Sequence, residues 1–235
     1  RIASLDSDGN FIRDCVIDEI GNIIMSSPGI IPGYVDSSHD EALFVKNHEP
    51  GWVNSGDLGR LDRDGYLWVT GRAKDVIIRS GHNIDPGIIE DALYKHAEVV
   101  SAAAVGKLDA YAGELPVAYV QLSPESTVTE ADLETFCREN ILERAANPAN
   151  IFIIDSLPLT GVGKISKLTL RHDATERVFA GLLVPLMVDE NLEIAISVAD
   201  DKRFGTTVTL AIADGDTAKR QVVESHITDV FSPFT

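Results

Sequence analysis

The sequence predicts an α+β fold in three successive regions. Residues 1–73 hold short apolar runs separated by turn signals such as Pro28-Gly29 and Pro32-Gly33, a pattern typical of strands. Residues 74–175 alternate strand-like runs with two amphipathic helical patterns. Residues 176–235 contain an apolar connector, two strand-like runs and a final helical pattern. We therefore expect a β-rich subdomain, then a small domain with a three-stranded sheet and helices, then a β-β-α extension.

The composition is that of a globular protein and disfavours several classes of partner. The chain has 235 residues and a formal net charge of −17, which repels polyanions, so nucleic acid is not an expected partner. It has no run of 18 apolar residues, and a membrane span is not expected. Cys15 and Cys137 are the two cysteines, and neither they nor the histidines have metal-ligand spacing. The sequence thus predicts a reducing, cytoplasmic setting and no metal site.

Local signals place the elements of the first two regions. The turn signal Asp62-Arg63-Asp64-Gly65 lies between apolar runs and predicts a hairpin. Asp85 followed by Pro86 predicts the start of a helix, and Thr129 with Asp132 predicts the start of a second one. The apolar faces of these helices are assigned to Ile89, Ala92, Leu93 and His96, and to Leu133, Phe136, Cys137 and Ile141. Strands are predicted at 76–78, 99–105, 116–122 and 151–154.

The sequence of the extension predicts two strands, at 192–198 and 206–213, and a helix that begins with Asp216 as its cap and carries Ala218, Val222 or Val223, and Ile227. The apolar residues of the strands alternate, so one face of the pair needs cover. Two strands alone are marginal in water. We therefore expect the extension to dock on the preceding domain or on a second protomer, as a structural or association element in a homo-oligomer.

Three motifs carry the functional information. They are Gly51-Trp52-Val53-Asn54-Ser55-Gly56-Asp57, the run Gly71-Arg72-Ala73-Lys74-Asp75 with Ser80-Gly81-His82-Asn83-Ile84-Asp85-Pro86 and Ile89-Glu90, and Gly161-Val162-Gly163-Lys164. Their order and spacing over residues 19–178 resemble the adenylate-forming enzymes, and most closely the acyl-CoA synthetases of the AMP-dependent synthetase and ligase family. Each motif alone would be a common turn signal.

The resemblance implies both architecture and activity. Residues 1–73 would be the β-rich end of a large N-terminal AMP-binding domain, and 74–175 a mobile C-terminal lid. The enzyme would use Mg²⁺ and ATP to activate a carboxylic acid as an acyl-adenylate, and would transfer the acyl group to coenzyme A. The expected acid is a fatty acid. An aryl or short-chain acid ligase is the alternative among enzymes. A non-catalytic binding or regulatory module is the alternative from another class.

For two residues the resemblance implies nucleotide binding. Asp57 would accept hydrogen bonds from both ribose hydroxyls. The alternative without a ligand is an aspartate that only stabilises a turn. Arg72 would bind ribose and phosphate oxygens through its fork of donors; the alternative without a ligand is a surface salt bridge, for example to Asp75.

The remaining site residues are implied for the moving domain. Lys74 would be the hinge, although an exposed loop lysine would look the same. Ser80, Gly81 and His82 would line the tunnel for the pantetheine arm of coenzyme A.

Lys164 would be the catalytic residue that stabilises charge as the carboxylate attacks the α-phosphate of ATP. Lys167 lies three residues away and is the competing assignment.

The sequence contains no glycine-rich phosphate loop before a helix. We therefore expect the chain to be the C-terminal part of a longer enzyme. Its missing N-terminal part would bind most of the ATP and Mg²⁺, so the chain would be inactive alone.

Overall fold

The computed structural model describes residues 1–189, 193–201, 203–212, 224–225, 227–228 and 231–234. The chain divides into two compact units, Arg1–Val76 and Ile77–Thr235. It combines several sheets, mostly antiparallel, with α-helices, which confirms the predicted α+β class. The domain boundaries assigned from sequence remain predictions.

The first unit is a five-stranded antiparallel sheet in the order β2-β1-β3-β4-β5. Its strands are β1 (Ile2–Leu5), β2 (Phe11–Asp14), β3 (Gly21–Met25), β4 (Val53–Leu61) and β5 (Leu67–Arg72). A 3₁₀ helix at Ser37–Ala42 lies in the long connection between β3 and β4. Ala3, Ile24 and Val45 form a small buried cluster.

The predicted hairpin is confirmed as β4 and β5. Asp62 holds its turn, because its carboxylate accepts hydrogen bonds from the backbone N–H groups of Asp64 and Tyr66 and from Trp68 Nε1. These bonds lower the pKa of Asp62, with the bond from Trp68 as the largest cause. Gly65 takes a φ of +84°, which an L side chain rarely adopts.

The second unit is built on a five-stranded sheet, where a three-stranded sheet was expected. Four of its strands match the four runs predicted as strands, and the short strand at His82–Ile84 is the one that was not predicted. Its central strand β9 (Gly113–Leu122) pairs antiparallel with β8 (Val99–Asp109) and parallel with β10 (Asn150–Ile153). The start of β9 also pairs with β6 (Ile77–Arg79), which in turn pairs with β7 (His82–Ile84).

Both predicted helix starts are confirmed. Helix α1 (Pro86–Leu93) begins after Asp85, whose carboxylate accepts from Gly87 N at 2.9 Å, and burial raises the pKa of that carboxyl. Helix α2 (Glu130–Asn140) begins with a capping box between Thr129 and Asp132.

The assignment of His96 to the face of α1 is wrong. The helix ends at Leu93, because the chain continues in turns in which Lys95 N and His96 N bond to the carbonyls three residues before them, and not four. The ring of His96 instead packs edge-on against Phe136 of α2, with 4.9 Å between ring centroids.

The sheet is covered on both faces. Helices α1 and α2 pack on one face in a buried cluster that includes Ile89, Leu133 and Ile151. The other face is covered by the first half of α3 (Lys167–Asp189), which contributes Leu170 and Ala174 to a second cluster. The hydroxyl of Tyr119 on β9 donates to Asp173 Oδ2 at 2.6 Å. Burial, reinforced by this bond, raises the pKa of Tyr119.

The predicted strand pair of the extension is confirmed. Strands β11 (Ile194–Asp201) and β12 (Gly205–Ile212) form an antiparallel hairpin whose apolar face packs on Leu183 and Leu186 of α3. The face that needed cover is thus covered within the chain, by a helix that runs without a break past residue 176.

Part of the predicted extension cannot be compared with the structure. Leu192, the predicted cap Asp216, and Ala218 and Val222 of the predicted final helix lie outside the described residues. Across the described segments, no helix is both long and apolar enough to cross a membrane.

Candidate functional site

The first candidate group lies at the end of the β4–β5 hairpin. Asp57 and Arg72 are cross-strand partners, and Arg72 Nε lies 3.2 Å from Asp57 Oδ1. A bulge between Leu58 and Gly59 shifts the register at this point. The side chains are 61% (Arg72) and 38% (Asp57) exposed, so this pair stabilises the fold little and leaves both polar heads open to a ligand. The structure therefore brings together the two residues assigned to nucleotide binding.

The backbone before Asp57 is fixed by its neighbours. Ser55 Oγ donates to Ile23 O at 2.9 Å and accepts from Asp57 N at 3.1 Å. Asn54 Oδ1 accepts from Gly56 N. Gly56 has a φ of +77°, and a Cβ there would lie 3.2 Å from Arg72 Nη2. The hydroxyl of Ser55, noted in the motif, thus orients the Asp57 backbone.

Lys74 lies in a single 3₁₀ turn, Ala73–Asp75, that follows β5. Its side chain is exposed, and Lys74 with Ala73 lines one part of a cleft of about 560 Å³ in the first unit, which Asn54 and Gly56 also line. The two compact units divide directly after Val76, two residues beyond Lys74. Lys74 therefore lies in the last turn of the first unit.

Ser80 and Gly81 form the turn between β6 and β7. Arg79 pairs with His82 across it, and both central residues have positive φ, +48° for Ser80 and +81° for Gly81. This is the pattern of a type I′ hairpin. Ser80 N donates to Ala112 O at 2.7 Å, which fixes the turn beside the β8–β9 connection. A Cβ at Gly81 would meet no atom within 4 Å, so the turn faces open space.

His82 is exposed at the start of β7. The neighbouring Arg79 donates from Nη1 to Ala145 O at 2.7 Å and ties the turn to the loop before β10. The predicted coenzyme A residues are thus held on a rigid base, with Ser80, Gly81 and His82 presented at the surface.

Lys164 lies on a closed turn between β10 and α3. Leu159 and Ile165 form an isolated β-bridge at its base, and Thr160 N donates to Lys164 O at 2.6 Å. Gly163 has a φ of +78°. Lys164 is exposed, and no carboxylate of the described residues lies within ion-pair distance of it. The turn thus presents the Lys164 ammonium group to solvent, next to Gly163, without an ion pair among the described residues.

Lys167, the competing assignment, is engaged elsewhere. Its Nζ lies 2.7 Å from Glu90 Oε1, and the two side chains are only 23% and 20% exposed. Glu90 belongs to the second sequence motif, in the pair Ile89-Glu90, but the motif alone does not indicate a function for its side chain. Of the two lysines, Lys164 is the one that is free to reach a ligand.

No hydrogen bond or ion pair joins the Ser80-Gly81 turn to the Lys164 turn in the described part of the chain. Over the same described residues, no group of three His, Cys, Asp or Glu side chains is arranged to hold a metal ion.

Comparison with known proteins identifies the central part of the chain. Residues 88–164 match the family described as AMP-binding enzyme C-terminal domain. The marinolic acid–CoA ligase of Pseudoalteromonas sp. (strain SANK 73390) is 47% identical over 213 residues, which are 91% of this chain and 32% of that ligase. Because 213 of the 235 residues are aligned, the match includes at least part of the extension at residues 176–235.

Two further comparisons agree. The 2-succinylbenzoate–CoA ligase of Geobacillus kaustophilus (strain HTA426) is 33% identical over 163 residues, 68% of this chain and 32% of the ligase. The crystal structure of ATP-bound MatB from Rhodopseudomonas palustris matches with a TM-score of 0.64 and 26% identity, over 73% of this chain and 33% of MatB.

The chain therefore spans about a third of the length of the relatives it matches. Its fold, its motifs and the matched segment lead to one conclusion: the chain carries an AMP-binding enzyme C-terminal domain and is related to the acyl-CoA ligases of the AMP-dependent synthetase and ligase family.

Proposed function

We propose that this chain is part of an ATP-dependent acid–CoA ligase. The enzyme would convert a carboxylic acid and ATP to an acyl-adenylate and pyrophosphate, and would then transfer the acyl group to coenzyme A. The observation that carries the proposal is the exposed, unpaired Lys164 at the end of the segment that matches the AMP-binding enzyme C-terminal domain. The relatives named as CoA ligases support the second half of the reaction.

In this proposal Lys164 is the catalytic residue of adenylate formation. Negative charge develops on the α-phosphate oxygens as the carboxylate attacks, and an ammonium group placed against it lowers the barrier. The absence of a neighbouring carboxylate in the described part of the chain supports the assignment, because the charge of Lys164 is not already compensated. The ion pair of Lys167 with Glu90 argues against that neighbour.

Asp57 and Arg72 would hold the nucleotide. The carboxylate of Asp57 can accept from two vicinal ribose hydroxyls, and the Arg72 guanidinium beside it can donate to ribose and phosphate oxygens. Their ion pair supports this assignment, because it holds both groups on one edge of the sheet at 3.2 Å. Mg²⁺, when bound with ATP, would neutralise phosphate charge, and we assign its ligands to another part of the enzyme.

Lys74 and the Ser80-Gly81-His82 turn would serve the thioester half-reaction. A hinge at Lys74 would let the second unit change its orientation between the two steps. The exposed type I′ turn would then line the path of the pantetheine arm. Support comes from the position of Lys74 two residues before the division of the chain, and from the open space beside Gly81.

For the acid we propose a fatty acid, and an aromatic acid is the second candidate. The aromatic candidate is supported by the relative that acts on 2-succinylbenzoate. We also propose a cytoplasmic setting, in keeping with two cysteines without a disulfide partner.

The test is a product analysis of the full-length enzyme with ATP, coenzyme A and a panel of fatty and aromatic acids. We expect AMP, pyrophosphate and acyl-CoA in equal amounts, and no adenylate from the isolated 235-residue chain. ADP and phosphate as products would contradict adenylate chemistry. Binding of ligands without any turnover of ATP would favour the non-catalytic module.

A further inference from the structure

Glu90 joins three elements of the second unit at one carboxylate oxygen. It lies on α1, and its Oε1 is 2.7 Å from Nζ of Lys167, the first residue of α3. The same oxygen accepts a hydrogen bond from Ala104 N of β8 at 2.8 Å. Glu90 therefore connects α1, the sheet and the beginning of α3.

The Glu90–Lys167 pair is more protected than the surface ion pairs of the unit. Its side chains are 20% and 23% exposed, whereas those of the Glu134–Arg138 pair on α2 are 32% and 60% exposed and lie 3.9 Å apart. Separating a shielded ion pair leaves both charges uncompensated, which is unfavourable. The pair and its further hydrogen bond therefore hold both residues in place. The start of α3 is thus held in place by a specific contact.

The start of α3 is also the foot of the Lys164 turn. Ser166 N donates to Pro158 O at 2.8 Å, and Ser166 Oγ accepts from Thr169 N at 3.4 Å, as a helix N-cap does. The bridge between Leu159 and Ile165 closes the turn immediately above. Freedom is therefore confined to the glycine-containing tip, and the direction of the turn follows the position of Lys167.

We propose that Glu90 is a positioning residue for Lys164, acting through its ion pair with Lys167. The inference rests on the proposed role of Lys164 in adenylate formation. Glu90 does not touch the reacting atoms. It sets the angle at which the turn leaves the domain, and thereby the place that the Lys164 ammonium reaches. Small displacements of a catalytic group are costly, with about a hundredfold loss for a shift of about 1 Å.

The experiment uses Glu90→Gln and Lys167→Met in the full-length enzyme, each in the wild-type and in the Lys164→Ala background. Glu90→Gln keeps an oxygen acceptor for Ala104 N, so the fold is retained, and Lys167→Met keeps the apolar stem. Glu134→Gln, which breaks the exposed pair on α2, is the matched control. Adenylate formation is measured by pyrophosphate exchange, and thioester formation is measured from preformed acyl-adenylate.

We expect each variant to lower the kcat of adenylate formation by roughly tenfold, well within the cost of a misplaced catalytic group. The KM for ATP and the thioester half-reaction should be unchanged. The double variant should be no slower than either single one, because both remove the same contact. In the Lys164→Ala background neither variant should slow the enzyme further, and Glu134→Gln should behave as wild type.

Two results would overturn the inference in distinguishable ways. If Lys164→Ala is slow and Glu90→Gln slows both backgrounds equally, or slows both half-reactions alike, Glu90 does not act through Lys164 and only the inference fails. If Lys164→Ala forms adenylate at the wild-type rate, the proposed role of Lys164 fails, and the inference fails with it.

Discussion

The residues assigned to the nucleotide and those assigned to the moving domain are supported by different kinds of backbone. Asp57 and Arg72 lie on paired strands, where the sheet register fixes their separation. The Ser80-Gly81 and Gly163-Lys164 segments lie in turns with positive φ that face open space. A strand holds its side chains in one arrangement, whereas an exposed turn can present its residues to a ligand in one state and withdraw them in another. The difference predicts which residues serve both half-reactions.

The strand-held pair should matter throughout the reaction, and the largest effect is expected there. In the full-length enzyme, Asp57→Ala should slow adenylate formation and thioester formation alike, because the ribose is present in both ATP and the acyl-adenylate. Loss of two hydrogen bonds to a charged group corresponds to about 3 kcal/mol or more in each step. Kinetics of the two half-reactions would check this, and a loss confined to one of them would remove the contrast with the turns.

The connection after β5 should matter for only one step. Lys74→Pro fixes φ near −65° and restricts the backbone at the proposed hinge. Adenylate formation should persist, while thioester formation falls tenfold or more, equivalent to about 1.4 kcal/mol of barrier. Lys74→Ala is the matched control, because it removes the charge and leaves the backbone free. Normal thioester formation by Lys74→Pro would exclude this residue as the hinge.

The turn that carries Lys164 should be sensitive to backbone strain at its glycines and insensitive to added side-chain volume. Neither Gly161 nor Gly163 would place a Cβ within 4 Å of another atom, but only Gly163 has a positive φ. Gly163→Ala should therefore cost about 1–2 kcal/mol in the turn and lower adenylate formation severalfold. Gly161→Ala should be silent in the same assay and in thermal melting. Equal behaviour of the two variants would show that the observed turn is not the active conformation.

Local chemistry made part of the fold predictable from sequence. Asp85 before Pro86 and Thr129 with Asp132 were read correctly, because a cap is decided by residues within one turn. The β4–β5 hairpin followed from its Asp-Gly turn. The strand pair of the extension was found because its alternating pattern reflects one buried face.

Non-local contacts account for the rest. Strand β7 has only three residues and forms because the Ser80-Gly81 turn folds it back on β6, a pairing that no periodicity indicates. Directly after α1, the hydroxyl of Tyr94 bonds to the backbone of Ala102 on β8, a contact between the end of the helix and the sheet. Helix α3 runs on because its first half packs on the sheet and its second half on the hairpin of the extension.

In the candidate site, too, single residues were predictable and contacts between distant residues were not. The motifs located Asp57, Arg72 and Lys164 one at a time, but the Asp57–Arg72 pair depends on a bulge in β5, where Thr70 has no partner on β4. Arg72 lies beside Asp57 across the hairpin, a pairing that the separate motifs do not indicate. Glu90 and Lys167 are 77 positions apart in the chain, so their contact appears only after folding.

The most direct test of the central claim is the Lys164→Ala variant of the full-length enzyme, assayed separately in the two half-reactions. We expect the barrier of adenylate formation to rise by about 2–4 kcal/mol, the scale for losing one electrostatic stabiliser. Thioester formation from preformed acyl-adenylate should continue at the wild-type rate. Equal loss in both half-reactions, or none in the first, would contradict the assignment of Lys164 to adenylate formation.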